Sequence, residues 1–366
     1  MKFTVSRDVL LRPLQQVAGV VERRQTLPVL SNVLLEVDGD QLAMTGTDLE
    51  VEMVARVAVA GSDAGAITVP ARKLVDIVRE LPDGAELELA LKDQRVEIRS
   101  GRFRSTLSTL PAADFPTIDK GDTDLAIPVP ATALKSLIDQ TGFAMAQQDV
   151  RYFLNGMLLE IGDGHVRSVA TDGHRLAMST LEHEAGSGAP RQVIVPRKGI
   201  LELQRLLGEL DGDVQLALGG NHMAATSADF SMTSKLVDGR FPDYERVVPR
   251  NGDKVISADK AELRQALNRT AILSNEKFRG IRVSFSPGNI QLSANNPEQE
   301  EAEETVSVEY DGAELEVGFN VSYLQDVLGV VSGERVKITV HDANSSALVE
   351  DPANENALYV VMPMKL

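Results

Sequence analysis

Two side chains that can exchange protons stand two positions apart, Asp172 and His174 in the segment Ala170-Thr-Asp-Gly-His-Arg-Leu-Ala177. A carboxylate beside an imidazole could work as general base and acid or supply two ligands to a metal ion. Both kinds of chemistry need further converging groups. No ligand-like spacing relates this pair to the other histidines, which are His165, His183, His222 and His341. We therefore predict a turn between strands, with Asp172 and Gly173 reversing the chain.

Other sequence signals of catalysis are missing. The chain has no cysteine, which excludes disulfides, thiolate metal sites and a cysteine nucleophile. It also has no Walker motif, no dinucleotide fingerprint, no nucleophile elbow around serine and no zinc pattern. We predict a protein without catalytic residues, cofactor or metal. The alternative from the enzyme class is a nucleic-acid hydrolase that uses Asp172 and His174.

Length and composition indicate a multidomain globular protein. A chain of 366 residues is too long for one ordinary domain. Hydrophobic residues make up 43% of it and aromatic residues 4%, so the cores are expected to be aliphatic. No stretch approaches the roughly 18 apolar residues of a membrane span, and Lys2, Arg7 and Asp8 stand where a signal peptide needs an apolar run. We expect a cytoplasmic protein that does not enter a membrane.

A threefold repeat organises the chain. Three segments each read as a short strand, a start signal and an amphipathic helix, and they begin at Ile67, Val193 and Val317, 126 and 124 residues apart. Each helix is followed by a turn and an alternating strand, and a second helix with a strand and hairpin recurs in the other half of each repeat. The repeat predicts six helices, at 7–24, 71–80, 131–147, 196–210, 258–273 and 320–331.

The repeat predicts an α+β protein of three similar domains, each with two helices packed on mainly antiparallel sheets. Polar stretches at 120–124 and 250–254 mark the boundaries, which places the domains at 1–122, 123–251 and 252–366. Similar domains in a row suggest a curved array, and a head-to-tail contact between subunits closes a ring if the rotation per unit permits it.

Charge is unevenly distributed along the chain. A net charge of −17 argues against binding to phosphates, which rests on Lys and Arg. The six predicted helices together carry +4, however, so the remaining strands and loops carry −21. If all six helices line one surface, that surface is mildly basic while the outside repels DNA; for any single helix, a solvated polar face is the simpler explanation. The cations that we assign to such a surface are Arg24, Arg72, Lys73, Arg197, Lys198 and Arg205.

Two segments of opposite charge suggest a contact between subunits. The basic residues Arg95, Arg102 and Arg104 lie in the first domain, and an acidic run lies in the third. We predict that the first domain of one subunit meets the third domain of another, with Ile272 and Leu273 as apolar anchors. Exposed ion pairs add little affinity but help set orientation. The carboxylates that we assign to this dimer interface are Glu298, Glu300, Glu301, Glu303 and Glu304.

The final ten residues, Ala357-Leu-Tyr-Val-Val-Met-Pro-Met-Lys-Leu366, are unusually apolar for a chain end. We predict a closing strand over Tyr359 to Met362 that ends at Pro363. Met364 and Leu366 have a reason to be apolar if they border a groove, and methionine suits sites that accept several partners. An ordinary core strand is the alternative.

The whole chain resembles the β subunit of bacterial DNA polymerase III, the sliding clamp family. The segments that carry the resemblance lie in all three domains and are specific when taken together. They are Leu107-Ser-Thr-Leu-Pro-Ala-Ala-Asp-Phe-Pro116, Asp149-Val-Arg-Tyr-Phe-Leu-Asn-Gly-Met157, Ala170-Thr-Asp-Gly-His-Arg-Leu-Ala177, Lys235-Leu-Val-Asp-Gly-Arg-Phe-Pro-Asp-Tyr244, Ala271-Ile-Leu-Ser-Asn-Glu-Lys-Phe-Arg-Gly280 and Tyr359-Val-Val-Met-Pro-Met364.

The resemblance implies a head-to-tail homodimer whose helices face a central channel for double-stranded DNA, bound without sequence specificity. It also implies a groove for short peptide motifs of the polymerase III catalytic subunit, the clamp loader, other DNA polymerases and repair proteins. The matching groove positions are Leu154, Thr171, Gly173, His174, Arg175, Leu176, Pro242, Arg246, Val247, Asn320, Tyr323, Ser346, Val360, Val361, Met362, Pro363 and Met364.

The resemblance implies DNA-facing positions at Arg24, Gln148 and Tyr152, with Phe153 where family members often have a second Tyr. Phe153 keeps an aromatic surface but lacks the hydroxyl group, and Lys365 stands where Arg is common. The function implied is that of a processivity factor, a ring that stays on DNA because it must open to leave and that keeps the polymerase at high local concentration. A monomeric peptide-binding adaptor that never encloses DNA is the alternative from the class of binding proteins.

Overall fold

The computed structural model describes residues 1–22, 27–119, 121–184 and 190–365. Its six helices coincide with the six predicted segments. They are α1 Arg7–Val20, α2 Ala71–Glu80, α3 Ala131–Thr141, α4 Arg197–Leu207, α5 Lys260–Ala271 and α6 Val321–Val330.

Local chemistry explains where these helices begin. The side chains of Ser6 and Asp259 accept the N–H groups three residues ahead, at 3.3 and 2.8 Å, and so cap α1 and α5. The side chain of Asn320 accepts the N–H of Ser322 at 2.9 Å at the start of α6. Helices α2, α3 and α4 each follow a proline that ends the preceding strand.

Two helix ends were predicted too late. The helix predicted over 131–147 stops at Thr141, because Gly142–Ala144 form a 3-10 turn and Ala146 N–H then donates to Leu154 O at 3.0 Å. Buried apolar residues in this turn gave the sequence a helical pattern that the backbone does not follow. Helix α1 stops at Val20, four residues before the predicted end. The other predicted ends lie within three residues of those observed.

Twenty-five strands accompany the helices within the described ranges. They are β1 Lys2–Ser6, β2 Asn32–Asp38, β3 Gln41–Thr47, β4 Val51–Ala58, β5 Ala60–Asp63, β6 Gly65–Pro70, β7 Glu86–Lys92, β8 Arg95–Ser100, β9 Phe103–Ser108, β10 Thr123–Pro130, β11 Gly156–Gly162, β12 His165–Thr171, β13 Arg175–Glu182, β14 Arg191–Pro196, β15 Asp213–Gly219, β16 His222–Thr226, β17 Phe230–Lys235, β18 Lys254–Asp259, β19 Gly280–Ser286, β20 Asn289–Asn295, β21 Glu301–Glu309, β22 Leu315–Asn320, β23 Arg335–Val340, β24 Ala347–Asp351 and β25 Asn354–Val361. The last of these confirms the predicted closing strand and begins five residues earlier.

The strands pair antiparallel within two compact units. Unit 1 comprises Met1–Lys135 and Lys198–Leu236, with a five-stranded sheet ordered β5-β1-β7-β8-β9 and an eight-stranded sheet ordered β10-β15-β16-β17-β4-β3-β2-β6. Unit 2 comprises Ser136–Arg197 and Val237–Leu366, with a twelve-stranded sheet ordered β14-β11-β12-β13-β25-β24-β23-β18-β21-β20-β19-β22. Each unit packs its helices on sheet faces, and the predicted α+β class is confirmed.

Each unit contains one place where strands of adjacent repeats pair to make a continuous sheet. We call such a pairing of strands from adjacent repeats a seam. The first seam joins β4 to β17 in unit 1, and the second seam joins β13 to β25 in unit 2. One backbone hydrogen bond recurs at both seams. Lys235, the last residue of β17, donates its N–H to Glu50 O, and Met362, the residue after β25, donates its N–H to His174 O, both at 2.9 Å. The repeat seen in the sequence therefore extends to hydrogen bonds between domains.

Candidate functional site

The turn between β12 and β13 contains Asp172 and His174. Asp172 Oδ1 accepts the backbone N–H groups of His174 and Arg175 at 2.9 and 3.0 Å. Gly173 has a φ of +87° and donates its N–H to Thr171 Oγ1 at 3.1 Å. The predicted turn is confirmed, because the Asp172 carboxylate is engaged in closing it.

An apolar floor lies beside this turn within unit 2. Leu176 of β13 and Val360 of β25 stand opposite each other across the second seam, and both are buried. They form one cluster with five other buried residues, Leu158, Val169, Ile194, Phe241 and Tyr244. Partly buried apolar side chains pack against the cluster at its rim, namely Phe153, Met178, Val237, Val247, Val248, Leu348 and Leu358. A floor of this kind can receive aliphatic or aromatic side chains of a partner.

Arg175 forms a wall of this groove through contacts within its own repeat and with the third repeat. Its guanidinium pairs with the carboxylate of Asp326, donates to Phe143 O at 2.8 Å and lies 4.5 Å from the centre of the Tyr323 ring. The His174 ring lies nearly parallel to the Tyr323 ring, with the ring centres 6.5 Å apart. Burial raises the pKa of the Tyr323 phenol above its usual range. These contacts make a rigid aromatic and cationic surface.

The chain's last described residues complete the groove. Met364 N–H donates to Gly318 O at 2.8 Å, and Met362, Pro363 and Met364 are half-buried. An open cleft of about 760 Å³ is lined in part by Arg246, Val247 and Ser346, and it shares Val247 with the rim of the apolar cluster. The side-chain oxygen of Asn320 is engaged in capping α6. Leu154 and Val361 are buried, whereas Pro242 is exposed. The fold thus brings the predicted groove residues into unit 2, and their use by partners stays a prediction.

Three family models cover nearly all of the chain. The N-terminal domain of the DNA polymerase III β subunit matches residues 1–119, its central domain 128–243 and its C-terminal domain 245–365. The β sliding clamp of Pseudomonas aeruginosa is 60% identical, and that of Escherichia coli K12 is 54% identical, each over 100% of both chains. The chain belongs to the DNA polymerase III β subunit family, the β sliding clamps.

Solved clamp structures agree with this assignment. A crystal structure of the P. aeruginosa sliding clamp has a TM-score of 0.97 at 59% identity, and a Caulobacter crescentus β subunit has a TM-score of 0.95 at 40% identity, each covering 100% of both chains. Another P. aeruginosa clamp structure, bound to griselimycin, has a TM-score of 0.98 at 60% identity. The three repeated domains are therefore clamp domains, and the chain is a sliding clamp of DNA polymerase III.

The predicted DNA-facing residues of unit 2 lie on one exposed segment of this clamp. Gln148 is exposed with a φ of +56°, and Tyr152 is 58% exposed with its ring edge-on to Phe153 at 5.8 Å. Between them, hydrogen bonds from Arg151 hold the pKa of Asp149 at about 2. The segment therefore presents a fixed backbone with a projecting aromatic ring, and its contact with DNA stays a prediction.

The predicted basic helix residues differ in what they can offer to DNA. Arg72 and Lys73 are exposed in the first turn of α2, and Arg197 is half-buried at the start of α4. Lys198 and Arg205 are engaged in ion pairs within unit 1. Arg24 lies outside the described residues. Counting charges along helices could not reveal the Lys198 ion pair, because Asp48 lies 150 positions away in the chain. The partner of Arg205 is local, since Glu202 lies three residues before it in the same helix.

The predicted dimer residues include the exposed apolar side chains expected of an interface. Ile272 is 75% exposed and Leu273 half-buried at the end of α5, and Phe278, which the sequence reasoning missed, is 57% exposed nearby. Arg269 pairs with Glu304, and Arg104 lies 3.7 Å from Glu97. Arg95, Arg102, Glu298, Glu300, Glu301 and Glu303 are all exposed. Their contact with a second subunit stays a prediction.

The sequence reasoning also missed a buried polar network behind the groove floor. The Glu160 carboxylate receives hydrogen bonds from Arg167 at 3.2 Å and from the Tyr244 hydroxyl at 3.2 Å, and it lies 2.8 Å from His165 Nε2. Arg167 also donates to the Tyr244 hydroxyl at 2.9 Å. The single charged residue Glu160 in the otherwise apolar strand β11 was a possible signal, since a charged residue in a buried strand needs partners.

No group of three or more His, Asp or Glu side chains that could hold a metal ion occurs in the part of the chain that the structure describes. Within the same residues, no helix is long and apolar enough to cross a bilayer.

Proposed function

We propose that this clamp works as a head-to-tail homodimer that encircles duplex DNA and tethers replication proteins through the groove in unit 2. The observation that carries the proposal is the repeated seam. Two seams between clamp domains lie within the chain and share one backbone register, while the strands that would form a third, β9 and most of β21, each have an unpaired edge. A second copy of the chain supplies the missing partner for each free edge.

The two free edges are β9 in unit 1 and the first seven residues of β21 in unit 2. Strand β9 is the last strand of its sheet and pairs with β8 alone. Residues 301–307 of β21 pair with β20 on one side, and β18 reaches β21 at Val308 and Glu309. Among the described residues, no other strand covers these edges. Exposed strand edges of this length are ready to pair with another chain.

The register of the third seam follows from the other two. Equivalent pairs face each other at the seams within the chain, Ser231 with Val54 at the first and Leu358 with Met178 at the second. The same places on the free strands are occupied by Arg104 and Glu303. The register therefore puts Arg104 opposite Glu303 and diagonal to Glu301 of the second subunit, where opposite charges attract. Ile272, Leu273 and Phe278 supply nearby apolar surface.

The proposed DNA contacts are few, and most of them are exposed. Arg72, Lys73 and Arg197 lie in first helical turns, Tyr152 projects from unit 2, and Gln148 lies near it. We propose the same of Arg24 and Phe153 on the resemblance alone. A small number of cations suits sliding, because each phosphate contact that is broken costs little and no base is read. The time that the clamp stays on DNA then depends on how often the ring opens, and the affinity for DNA matters little.

The proposed partner site is the groove whose floor is Leu176 and Val360 and whose walls are Arg175, Tyr323 and the Met362–Met364 tail. Apolar side chains of short peptide motifs would occupy the floor. The structure of a 60% identical clamp bound to griselimycin supports a ligand-binding surface in the family. The partners we propose are the polymerase III catalytic subunit, the clamp loader, other DNA polymerases and repair proteins.

We propose a non-catalytic role for the chain. Asp172 is engaged by two backbone N–H groups and the Arg175 Nε, which leaves it poorly suited to proton transfer. The domain boundaries that we propose remain 1–122, 123–251 and 252–366, and the proposed location is the cytoplasm, since a replication clamp works on the chromosome.

Retention on circular and linear DNA tests the proposal. Clamp loaded onto a nicked circle is expected to remain through gel filtration in salt that screens phosphate contacts, and to be lost once the circle is cut. Arg104→Glu should abolish retention on the circle by weakening the dimer, and adding Glu303→Arg in the same chain should restore it. Glu314→Arg, at an exposed carboxylate outside β21 that is not assigned to the interface, serves as the control for a charge reversal without strand pairing.

Equal loss of the wild-type clamp from circles and linear DNA would refute enclosure. Retention by the double variant no better than by Arg104→Glu would refute the proposed register while leaving the ring itself intact. Sedimentation of each variant separates these outcomes, because it measures the dimer directly.

A further inference from the structure

Each seam within the chain has one cation placed between two carboxylates. At the second seam the cation is Arg175, which contacts Asp172 of the β12–β13 turn at 3.2 Å and pairs with Asp326 of α6. Its side chain is 12% exposed. The guanidinium therefore links a strand turn of one clamp domain to a helix of the next.

At the first seam the corresponding cation is Lys198 of α4. Its ammonium pairs with Asp48 of the β3–β4 turn, lies 2.8 Å from Glu22 Oε1 and donates to Val20 O at 3.3 Å. Burial alone would lower the pKa of Lys198, but the Asp48 and Glu22 carboxylates outweigh it and raise the pKa. All three donor positions of the ammonium are thus directed at groups of the first clamp domain.

The two arrangements share the carboxylate of the strand turn. Asp48 Oδ1 accepts the N–H groups of Glu50 and Val51 at 2.9 and 2.7 Å, as Asp172 does in its own turn. Glu202 and Asp326 are each the sixth residue of their helices. The cation and its second carboxylate differ. At the first seam Lys198 comes from the helix and pairs with Glu22, while Glu202 pairs with Arg205. At the second seam Arg175 comes from the strand, in place of Val51, and pairs with Asp326.

A second contact holds the same two helices together. Arg205 of α4 lies 2.6 Å from Glu202 and donates to Gln16 O of α1 at 2.7 Å. The guanidinium packs so closely on Gly19 that a Cβ atom there would lie within 2 Å of its nitrogen atoms. Two of the three α4 cations that the charge pattern assigned to DNA, Lys198 and Arg205, are therefore directed into the seam.

We propose that Lys198 is a positioning residue that fixes the first seam, as Arg175 fixes the second, and that its ammonium makes no phosphate contact with DNA. The inference rests on the proposed ring, because a fixed seam matters to function by holding the β9 edge where a second subunit can pair with it. Losing the cation leaves the Asp48 carboxylate, which is 5% exposed, without its main partner.

Three variants test the inference. Lys198→Met removes the charge and keeps the length of the side chain, and Lys198→Arg keeps the charge. Arg72→Met is the matched control, because Arg72 is the second residue of α2 as Lys198 is of α4, and Arg72 is exposed with no ion pair among the described residues. We measure the melting temperature, the dimer dissociation constant by sedimentation, and the slope of log affinity for open duplex DNA against log salt.

Lys198→Met is expected to lower the melting temperature by about 5 °C and to raise the dimer dissociation constant several-fold, with the salt slope unchanged. Lys198→Arg should recover most of both losses. Arg72→Met should change neither stability nor dimer, and should reduce the salt slope by roughly 0.9 if it contacts one phosphate.

A reduced salt slope for Lys198→Met, or an unchanged melting temperature and dimer constant, would overturn the inference. If that variant gives too little folded protein, Glu22→Gln replaces it, with a smaller fall in melting temperature and an unchanged slope as the expected result. An unchanged slope for Arg72→Met counts against the proposed DNA contact and not against the seam, so the two failures are distinguishable.

Discussion

The first and second seams share a backbone and differ in the side chains they bury. Glu52 and Leu176 occupy the same place on β4 and β13, and the residues opposite them are Thr233 and Val360. The Glu52 carboxylate accepts the N–H of Ile118 at 3.1 Å, inside a seam that is polar at this point. The second seam is apolar at the same point. The two seams share a backbone register, and a few side chains give only the second seam an apolar floor at this point.

The segments that follow β9 and β17 each place a phenylalanine against the core of their domain. Phe115 packs on Val29 and Leu34 in the first clamp domain, and Phe241 packs on Leu158 in the second. Both phenylalanines precede a proline and fill equivalent positions. The segment therefore contributes a buried phenylalanine to an apolar cluster in both domains. What distinguishes the second seam is the additional apolar surface of Leu176 and Val360 and the Arg175 and Tyr323 wall.

The most demanding test of this contrast places a glutamate, the residue found at position 52 of the first seam, at position 176 of the second. Leu176→Glu puts a carboxylate into the cluster of Leu158, Phe241 and Val360, where no described donor faces it. An unpaired buried charge is expected to cost roughly 4 kcal/mol in the free energy of unfolding. Urea unfolding measures this loss, and peptide binding should fall below detection.

Two controls accompany this variant. Leu176→Met conserves volume and polarity and should cost less than about 1.5 kcal/mol. Glu52→Gln keeps an acceptor for the Ile118 N–H and should be tolerated at the first seam. A Leu176→Glu protein as stable as Leu176→Met would mean that the groove floor is open to water, and the contrast between the seams would then lose its physical basis.

Much of this architecture could be predicted from the sequence because it repeats. Ile67, Val193 and Val317 begin equivalent segments, and the structure confirms a strand followed by a helix at each. The Asp172 turn was also predictable, since an Asp-Gly pair closes a turn through local hydrogen bonds. In contrast, Lys198 looked like a free helical cation because Asp48 lies 150 positions away in the chain. Local patterns do not encode such long-range pairing.

A second prediction concerns the network behind the groove floor, which the first seam lacks. Glu160 is buried in β11, whereas Glu36 at the equivalent place in β2 is exposed. Burial would raise the pKa of Glu160, but Gln192, His165, Arg167 and Tyr244 outweigh it and lower the pKa below its ordinary value of 4.5. The folded-state pKa is depressed, so the stabilisation is fully present above pH 4.5 and is lost as pH falls through the folded value.

Urea unfolding between pH 7 and pH 3 measures this dependence. Glu160→Gln should flatten the acid limb of the stability profile by about 1 kcal/mol, the size of a net hydrogen bond to a charged group. Glu36→Gln, the matched control at the exposed position, should leave the profile as in the wild type. Identical profiles for Glu160→Gln and wild type would show that other carboxylates govern acid unfolding.

The smallest expected effect separates the ring of Tyr323 from its hydroxyl group. The ring contacts Arg175 and His174, whereas no hydrogen bond of the hydroxyl is found among the described residues. Tyr323→Phe should therefore change the melting temperature by less than about 1 °C and the affinity of a groove-binding peptide by less than roughly twofold. Tyr323→Ala removes the ring and should weaken the peptide at least tenfold, because the wall formed with Arg175 then loses its aromatic face. Isothermal titration with one peptide compares all three proteins. A large loss for Tyr323→Phe would assign the hydroxyl to direct recognition of the partner, and the second seam would then differ from the first by a specific polar contact as well as by its apolar surface.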